Sequence, residues 1–356
     1  MEITALIMAG GRGERFWPRS RKNLPKQFLS LTEDKKTMLQ LTIERILPIV
    51  KLEDIFIATS IHYKDIILKQ IPEFLPENII CEPIRKNTAP CIGVGAMYIS
   101  KKYQDALMLV LPSDHLIKYN DIFISTLKKA CNIAEQGENL VTIGITPNYP
   151  ETEYGYIKFN SKIFIDDAFA VEHFVEKPNK KKAEEYIKTG NYLWNSGMFV
   201  WKTSSILKNI EQHLKDIYNG LQKIQKSIGS SFEKDVLKEE FIKFQSQSID
   251  YGVMEKAKNI YTIPSTFGWD DVGSWLAVDR INTSNEYGNI IQGNILTINT
   301  KNCIIEGTEK LIAIIGLEDT IVVDSDNALL VCKKEDISNV KKVVESLKIC
   351  NKEEYI

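Results

Sequence analysis

The chain has 356 residues, 44% of them hydrophobic and 26% charged, which are the proportions of a globular protein. Its 45 lysines and arginines nearly balance 47 aspartates and glutamates, and a net charge of -2 excludes a general attraction to nucleic acid or anionic lipid. No apolar run reaches the roughly 18 residues of a membrane span, and the first residues lack the pattern of a signal peptide. We therefore expect a cytoplasmic protein with no membrane and no nucleic acid among its partners.

Short β-branched runs alternate with longer amphipathic stretches through the first two thirds of the chain. This alternation is typical of βαβ units and predicts an α/β fold with a Rossmann-like, mixed and mostly parallel sheet. Strands are predicted at 3–9, 54–60, 79–83, 105–115 and 140–146, and helices at 37–50, 62–74 and 88–103. After residue 146, alternating segments at 154–159 and 168–177 predict antiparallel strands at the sheet edge, and 204–258 is predicted to be mainly helical.

The character of the sequence changes beyond Asn285. Short apolar runs separated by Gly, Asn, Asp and Thr predict a small all-β module. A helix over 334–348, capped by Asp336 or Ser338, is predicted to follow it. We therefore expect one large α/β domain over 1–285 and a C-terminal β module over 286–356, joined without a flexible linker. The module is also a candidate for the contact of a homodimer.

A glycine-rich turn follows the first predicted strand. Its glycines are Gly10, Gly11 and Gly13, and the cations beside and behind them are Arg12, Arg15 and Lys26. Such glycines leave peptide N–H groups open to an anion. Phe16 stands where a dinucleotide fingerprint needs a small residue, and the Gly-Lys-Ser/Thr of a P-loop is missing. The pattern favours a site for a triphosphate whose charge must be neutralised as a bond breaks; the alternative is a surface turn with solvated basic side chains.

Two acidic positions suggest a metal site. Asp114 directly follows a buried run, at the strand end from which open α/β sheets present functional groups. Asp270 and Asp271 lie in a turn rich in glycine and tryptophan. Carboxylates from these two places could together hold Mg²⁺, which prefers oxygen ligands, although a single aspartate is more often a helix cap or turn residue.

Seven segments together carry a family resemblance. They are AGGRGERFWPRSRKNLPKQF at 9–28, EPIRKNTAP at 82–90, LPSDH at 111–115, FVEKP at 174–178, NSGMFVW at 195–201, SIDYGVMEK at 248–256 and GWDDVGSW at 268–275. In this order they resemble the bacterial mannose-1-phosphate guanylyltransferases, which belong to the sugar-nucleotide pyrophosphorylases. The resemblance covers essentially the whole chain and implies that the C-terminal module is similar to a left-handed β-helix.

The resemblance implies a reaction in which mannose 1-phosphate attacks the α-phosphorus of GTP in line, giving GDP-mannose and pyrophosphate. The nucleophile is already a phosphate oxygen, so the protein must mainly position two anions and stabilise charge. Implied catalytic residues are Arg15, Lys26, Asp114 and Asp271, of which Asp114 and Asp271 would hold Mg²⁺. Implied nucleotide-binding residues are Ala9, Gly10, Gly11, Arg12, Gly13, Asn87, Thr88, Ala89 and Ser113. Implied residues of the sugar-phosphate site are Gly155, Glu176, Lys177 and Asn195.

Several assignments within this set have alternatives. Asp271 is preferred to Asp270 as the metal ligand, because relatives keep the acid directly before Val-Gly-Ser. The base is expected to be read around Asn87, Thr88 and Ala89, although Asn87-Thr88 also fits the N-cap of the predicted helix, and both roles are compatible. Trp269 and Trp275 are expected to pack in the core.

Three functions stay open from the sequence. Many relatives carry a further C-terminal isomerase domain; this chain has no histidine after His213, so we expect it to form GDP-mannose only and to receive mannose 1-phosphate from another protein. The first alternative is a pyrophosphorylase for other substrates, such as glucose 1-phosphate with UTP or dTTP. The second is a non-catalytic, sugar-nucleotide-binding regulatory subunit.

Overall fold

The computed structural model describes all 356 residues of the chain, 1–356. They form two compact units, and each unit is built from separate stretches of sequence. The first unit comprises 1–10, 43–112 and 117–269, and the second comprises 11–42, 113–116 and 270–356. The domain boundary expected near residue 285 stays a prediction.

The strands are β1 Ile3–Ala9, β2 Ile55–Ser60, β3 Ile79–Glu82, β4 Leu107–Pro112, β5 Leu116–Ile117, β6 Leu140–Ile145, β7 Tyr156–Ile165, β8 Ala168–Val175, β9 Tyr192–Lys202, β10 Ile260–Ser265, β11 Trp269–Asp270, β12 Ile290–Gln292, β13 Ile295–Ile298, β14 Ile304–Glu306, β15 Ile312–Ile315, β16 Thr320–Ser325 and β17 Ala328–Lys333. The helices are α1 Met38–Ile46, α2 Lys64–Gln70, α3 Thr88–Lys102, α4 Asn120–Glu135, α5 Lys180–Thr189, α6 Thr203–His213, α7 Lys215–Ser227, α8 Glu233–Lys243, α9 Leu276–Ile281 and α10 Val340–Ile349. None of these helices has the length and apolar character needed to cross a bilayer.

The first unit is organised by one mixed sheet of nine strands in the order β3-β2-β1-β4-β9-β6-β10-β8-β7. Strands β1 to β4 are mutually parallel, and β9 lies antiparallel between β4 and β6. The antiparallel strands predicted after residue 146 are confirmed as β7 and β8 at the sheet edge. Strand β9 was not predicted, because its mixture of glycine, tryptophan and polar residues hides the alternation of a strand.

Helices α3, α6, α7 and α8 cover one face of this sheet and bury a continuous apolar core. The predicted helical stretch 204–258 is confirmed in type but consists of three helices and a short π-helical turn, Asp250–Met254. Because β1 to β4 are parallel, their carboxyl ends all lie at the same edge of the sheet.

The second unit joins the signature segment 11–42 to the C-terminal module. Strands β12, β14 and β16 stack in parallel, as do β13 and β15, which is the arrangement of a β-helix. A single core contains side chains from both parts, including Phe16, Trp17, Ile321 and Val344. Arg19 forms an ion pair with the buried Glu306, so the β module contacts and stabilises the signature segment directly.

The predicted cap of the C-terminal helix is wrong. A 3-10 turn occupies Lys334–Asn339, and the α-helix begins only at Val340, with Asn339 at the N-cap position and no side-chain cap hydrogen bond. Asp336 and Ser338 therefore lie inside the preceding turn. The apolar side chain of Ile337 is buried in that turn, and this packing decides the local conformation over the capping preference.

Candidate active site

The glycine-rich turn of the second unit places arginine side chains next to backbone that carries no side chains. Gly11 and Arg12 are exposed, and Arg15 is half-buried in the 3-10 turn Glu14–Phe16. The Arg12 guanidinium lies 3.6 Å from the carboxylate of Glu14, which in turn lies 2.9 Å from the Lys348 ammonium. Gln27 donates to the carbonyl of Gly11 at 3.2 Å and so fixes the turn from below.

Gly13 is required by the close approach of Lys26. Its φ of +61° is left-handed, and a Cβ at this position would lie 2.4 Å from the Cβ and 2.8 Å from the amide nitrogen of Lys26. The Ser20 hydroxyl donates to the Gly13 carbonyl at 2.6 Å. The third glycine of the turn is therefore the one that allows the buried lysine to stand against it.

Lys26 links the two predicted metal acids. Its side chain is only 6% exposed, and its ammonium lies 2.9 Å from a carboxylate oxygen of Asp114 and donates at 2.6 Å to the backbone carbonyl of Asp271. Burial raises the pKa of Asp114, but Lys26 and the neighbouring His115 lower that pKa by more, so this carboxyl ionises below its ordinary range. Burial lowers the pKa of His115, which the carboxylate of Asp114 opposes only in part. The carboxylate of Asp114 is thus held ionised beside one buried cation.

Asp270 has a structural role that separates it from Asp271. Its two carboxylate oxygens accept from Arg280 at 2.6 and 3.0 Å, and one of them also accepts from the Val272 amide at 2.8 Å. Val272, a β-branched residue, has a φ of +48°, a strained conformation that is held by these bonds. Because both oxygens of Asp270 hold the turn in this way, Asp271 is the better candidate of the pair for a ligand.

The donor set suits Mg²⁺. This ion is commonly held by one or two carboxylates together with substrate phosphates. Lys26 contacts the carboxylate of Asp114 and the backbone carbonyl of Asp271, so the same lysine joins the two acidic residues. No group of three or more His, Cys, Asp or Glu side chains forms a cage for a metal in the chain, so further ligands would come from substrate and water. Ser113, next to Asp114, is buried, and its carbonyl accepts from Thr42 at 3.3 Å.

In the first unit, the end of β1 pairs with β2, and the side chain of Glu82 at the end of β3 approaches the residue that follows β1. The Ala9 carbonyl accepts from Thr59 at 2.8 Å, and a Cβ at Gly10 would lie 3.6 Å from Oε2 of Glu82. Glu82 is 9% exposed, and its Oε1 has no hydrogen-bond partner. Burial raises the pKa of Glu82 to about 7, against the opposing effects of the Cys91 thiol and Arg85. A buried carboxyl whose Oε1 has no hydrogen-bond partner thus lies beside Gly10, which follows β1.

The predicted base-reading loop is also the N-terminus of α3. Asn87 is the N-cap, with a φ of +68°, and its side chain accepts from the Thr88 amide at 2.8 Å, which confirms the capping role. The Thr88 hydroxyl accepts from the Ile249 amide at 2.8 Å, and the Ala89 amide donates to the Gln247 carbonyl at 3.0 Å. The N–H of Ala89 is therefore already used inside the protein, whereas the side chain of Asn87 is exposed.

The predicted sugar-phosphate residues come together in the first unit. The backbone N–H of Asn195 donates to the Gly155 carbonyl at 2.8 Å, and a Cβ at Gly155 would lie 3.0 Å from Oε2 of Glu176 and 3.6 Å from Cβ of Asn195. Lys177 has a φ of +40°, its side chain is 54% exposed, and its ammonium lies 3.9 Å from Glu176. An exposed cationic head and two polar side chains around a glycine can hold a phosphorylated polyol.

The two tryptophans of the last motif differ in burial. Trp275 is fully buried in the core of the second unit, as predicted. Trp269 is half-buried in the first unit and packs on Tyr154 and Trp194, with ring centroids 5.1 and 6.4 Å away. The expected core packing is therefore complete for Trp275 and partial for Trp269.

Two further acids beside these groups, Glu82 and Asp250, had no predicted role. Both lie within quoted motifs, EPIRKNTAP and SIDYGVMEK. The available signal was an acid inside an apolar context, which neither charge patterning nor periodicity distinguishes from a surface residue.

Two family models match the chain. The model described as nucleotidyl transferase matches residues 4–286, and the model described as MannoseP isomerase/GMP-like beta-helix domain matches residues 293–347. The second match agrees with the parallel strands of the C-terminal module.

Relatives that match along nearly the whole chain give the same picture. Mannose-1-phosphate guanylyltransferase 2 of Escherichia coli O157:H7 is 40% identical over 99% of this chain and 75% of the relative. Alginate biosynthesis protein AlgA of Pseudomonas aeruginosa is 36% identical over 96% of this chain and 71% of the relative. A crystal structure described as mannose-1-phosphate geranyltransferase from Thermus thermophilus has a TM-score of 0.88 and 32% identity, covering 98% of this chain and all of that one.

Proposed function

The chain belongs to the nucleotidyl transferase family, among its mannose-1-phosphate guanylyltransferases, and we propose that it transfers GMP from GTP to α-D-mannose 1-phosphate. The products are GDP-mannose and pyrophosphate. The observation that carries the proposal is the position of the buried Lys26, next to a glycine turn that carries two arginines. Its ammonium contacts the carboxylate of Asp114 and the backbone carbonyl of Asp271. This is the charge arrangement that a triphosphate needs when its α-phosphorus is attacked.

The reaction makes one bond and breaks one. A phosphate oxygen of mannose 1-phosphate forms a bond to the α-phosphorus of GTP, and the bond from that phosphorus to the bridging oxygen of the β-phosphate breaks. The nucleophile needs no general base, because it is already an anion. The protein must position the two substrates and offset the growing negative charge, which accounts for the prominence of lysine and arginine over histidine.

The second unit supplies the groups for the triphosphate. We assign Arg12, Arg15 and the backbone of Gly11 and Gly13 to the phosphates, and Lys26 to the charge that develops on them. Asp114 and Asp271 would hold Mg²⁺, which supplies Lewis-acid stabilisation of phosphate oxygens when it is bound. Lys26 contacts Asp114 in the protein alone, so the lysine must share this carboxylate with the ion or turn towards the phosphates.

The first unit supplies the groups for the base and the sugar phosphate. Ala9 and Gly10 let the nucleoside approach β1, and Asn87 and Thr88 face the base. Glu82 adds a carboxyl group that can accept from the N1–H and the amino group of guanine, whereas adenine presents an acceptor at N1. Lys177 binds the phosphate of the sugar, and Glu176 and Asn195 bind its hydroxyls next to Gly155.

The proposal is tested by pyrophosphate release from the purified protein with Mg²⁺ and mannose 1-phosphate. GTP, ATP, UTP, CTP and dTTP are compared, and GTP is then repeated with glucose 1-phosphate. Release that is fast only with GTP and mannose 1-phosphate is expected. Release with another pair would assign the chain to another sugar nucleotide, and no release with any pair would favour a binding subunit.

A further inference from the structure

Asp250 begins the π-helical turn Asp250–Met254 of the first unit. Single π-helical turns are uncommon and often mark functional positions. Oδ1 of this half-buried carboxylate accepts from Nδ2 of Asn195 at 2.8 Å. Asn195 is one of the residues assigned above to the sugar hydroxyls, so Asp250 is joined to the sugar site through a direct hydrogen bond.

The bond to Asp250 fixes the orientation of the Asn195 amide. The other end of that amide, Oδ1, accepts from the Gly197 backbone at 3.1 Å. With its oxygen and one N–H both engaged, the amide cannot flip without losing two hydrogen bonds. One N–H of Nδ2 remains to donate to a ligand.

The second oxygen of Asp250 accepts no hydrogen bond from another side chain. Asn195 is the one side chain that hydrogen bonds this carboxylate, and it uses only Oδ1. Burial raises the pKa of Asp250, an effect that the Asn195 bond partly offsets. Burial likewise raises the pKa of Glu176, and the charge of Asp250 adds to the effect while Lys177 opposes it. A Cβ at Gly155 would lie 3.0 Å from Oε2 of Glu176 and 3.6 Å from Cβ of Asn195, and Asn195 in turn bonds Asp250, so the two carboxylates flank Asn195.

A pair of neighbouring carboxylates matches a pair of neighbouring hydroxyl groups. Each hydroxyl donates one hydrogen bond, and the donors offset the repulsion between the acids. A sugar that lacks one of the hydroxyls leaves a carboxylate oxygen desolvated and unpaired, which is the strongest form of discrimination available to a polar pocket.

We propose that Asp250 determines specificity for the sugar: its Oδ1 orients Asn195, and its Oδ2 accepts from a hydroxyl adjacent to the one that Glu176 binds. This assignment rests on the proposed function, because it takes the substrate of the site to be a sugar 1-phosphate. It adds an acceptor to the site and states that two adjacent hydroxyls are read by two different acids.

The test compares Asp250→Asn with the wild-type protein, using GTP and mannose 1-phosphate and then its 2-, 3- and 4-deoxy analogues. We expect the substitution to raise the KM for mannose 1-phosphate at least tenfold and to change the KM for GTP less than twofold. With the analogue that lacks the hydroxyl bound by Asp250, the variant and the wild type should have equal kcat/KM. The proposal would be overturned if Asp250→Asn lowered kcat/KM by the same factor with every deoxy analogue. It would also be overturned if the substitution left the KM for mannose 1-phosphate unchanged.

Asp105→Asn is the matched control. This carboxylate also accepts from side chains of the first unit, Thr203 and Ser204, both at 2.7 Å, but it precedes β4 at the amino end of that strand. Its KM values should stay those of the wild type. Should Asp250→Asn fail to fold, the wild-type protein is tested with the deoxy analogues alone. Removal of either of two adjacent hydroxyls must then lower its kcat/KM at least tenfold. A loss of this size for fewer than two adjacent hydroxyls would contradict the proposal that two acids read them.

The initial comparison of substrates separates this proposal from the proposed function. If the wild type prefers a different sugar 1-phosphate, the proposed function fails, and the same comparison is made with deoxy analogues of that sugar. If no sugar 1-phosphate is turned over, both proposals fail.

Discussion

The backbone of Gly13 and the side chain of Lys26 stand so close that a Cβ on residue 13 would lie 2.4 Å from the Cβ of Lys26. A methyl group there must push away the cation that contacts both Asp114 and Asp271. The free energy lost by displacing Lys26 would add to the cost of about 1–2 kcal/mol for an alanine in the left-handed conformation. We expect Gly13→Ala to lower kcat by at least tenfold and to lower the free energy of unfolding by about 2–4 kcal/mol.

Gly190→Ala is the control that separates the effect of backbone strain from the effect of displacing Lys26. Gly190 has a φ of +70° and nothing within 4 Å of its Cβ position. This variant should lose about 1–2 kcal/mol of stability by chemical denaturation and keep its full activity. Equal kinetic behaviour of the two variants would show that the approach of Lys26 to Gly13 has no role in turnover.

The neighbouring acids Asp270 and Asp271 should respond to the same substitution in different ways. Asp271→Asn is expected to remove most turnover and to cost less stability in urea denaturation than Asp270→Asn, because the bonds that hold the strained turn at Val272 are made by Asp270. Asp270→Asn is expected to lower the free energy of unfolding by about 1–3 kcal/mol, because it breaks the pair with Arg280. Full activity of Asp271→Asn with Mg²⁺ would contradict the metal assignment.

Glu82 should make stability depend on pH in an unusual direction. Its pKa of about 7 in the folded protein lies above the value of about 4.3 in an unfolded chain. Its contribution is therefore most favourable below about pH 4, and it is lost as the pH rises to about 7. We expect Glu82→Gln to stabilise the nucleotide-free protein by about 1–3 kcal/mol at pH 8 and to give little gain at pH 5.

The same variant tests the assignment of Glu82 to guanine. Glu82→Gln should raise the KM for GTP and leave the KM for mannose 1-phosphate unchanged. A gain in stability without any change in the KM for GTP would leave Glu82 as a buried acid that has no part in reading the base.

Residues 353–356 should stabilise the signature segment. The Trp17 indole donates to the Tyr355 carbonyl at 2.7 Å, Arg21 donates to the same oxygen, and Asn327 donates to the Glu354 carbonyl at 3.1 Å. Deletion of 353–356 leaves the buried indole N–H without an acceptor and should cost about 1–3 kcal/mol of unfolding free energy. In a Trp17→Phe background the same deletion should cost less, and an equal cost in both backgrounds would exclude the indole as the cause.

The sequence predicted those features that depend on local pattern. The strands that end at or shortly before Gly10, Glu82 and Asp114 are predicted by short apolar runs, and the cap at Asn87 by its place before a helix. The preference for Asp271 over Asp270 came from resemblance, and the bonds from Arg280 give it a physical reason. The sequence pattern does not predict the ion pair of Arg19 with Glu306 or the hydrogen bond of Trp17 with Tyr355. About 300 residues separate the members of each pair, and no periodicity links them.

The division of the second unit along the chain has a consequence for folding during synthesis. Residues 11–42 are synthesised well before their packing partners in 270–356. Until then Phe16, Trp17 and Leu29 have no core in which to be buried, and closing this long loop carries the entropic cost of a non-local contact. The glycine-rich turn therefore acquires its native surroundings only after residues 270–356 have been made, so we expect a product truncated before residue 270 to lack the core that supports this turn.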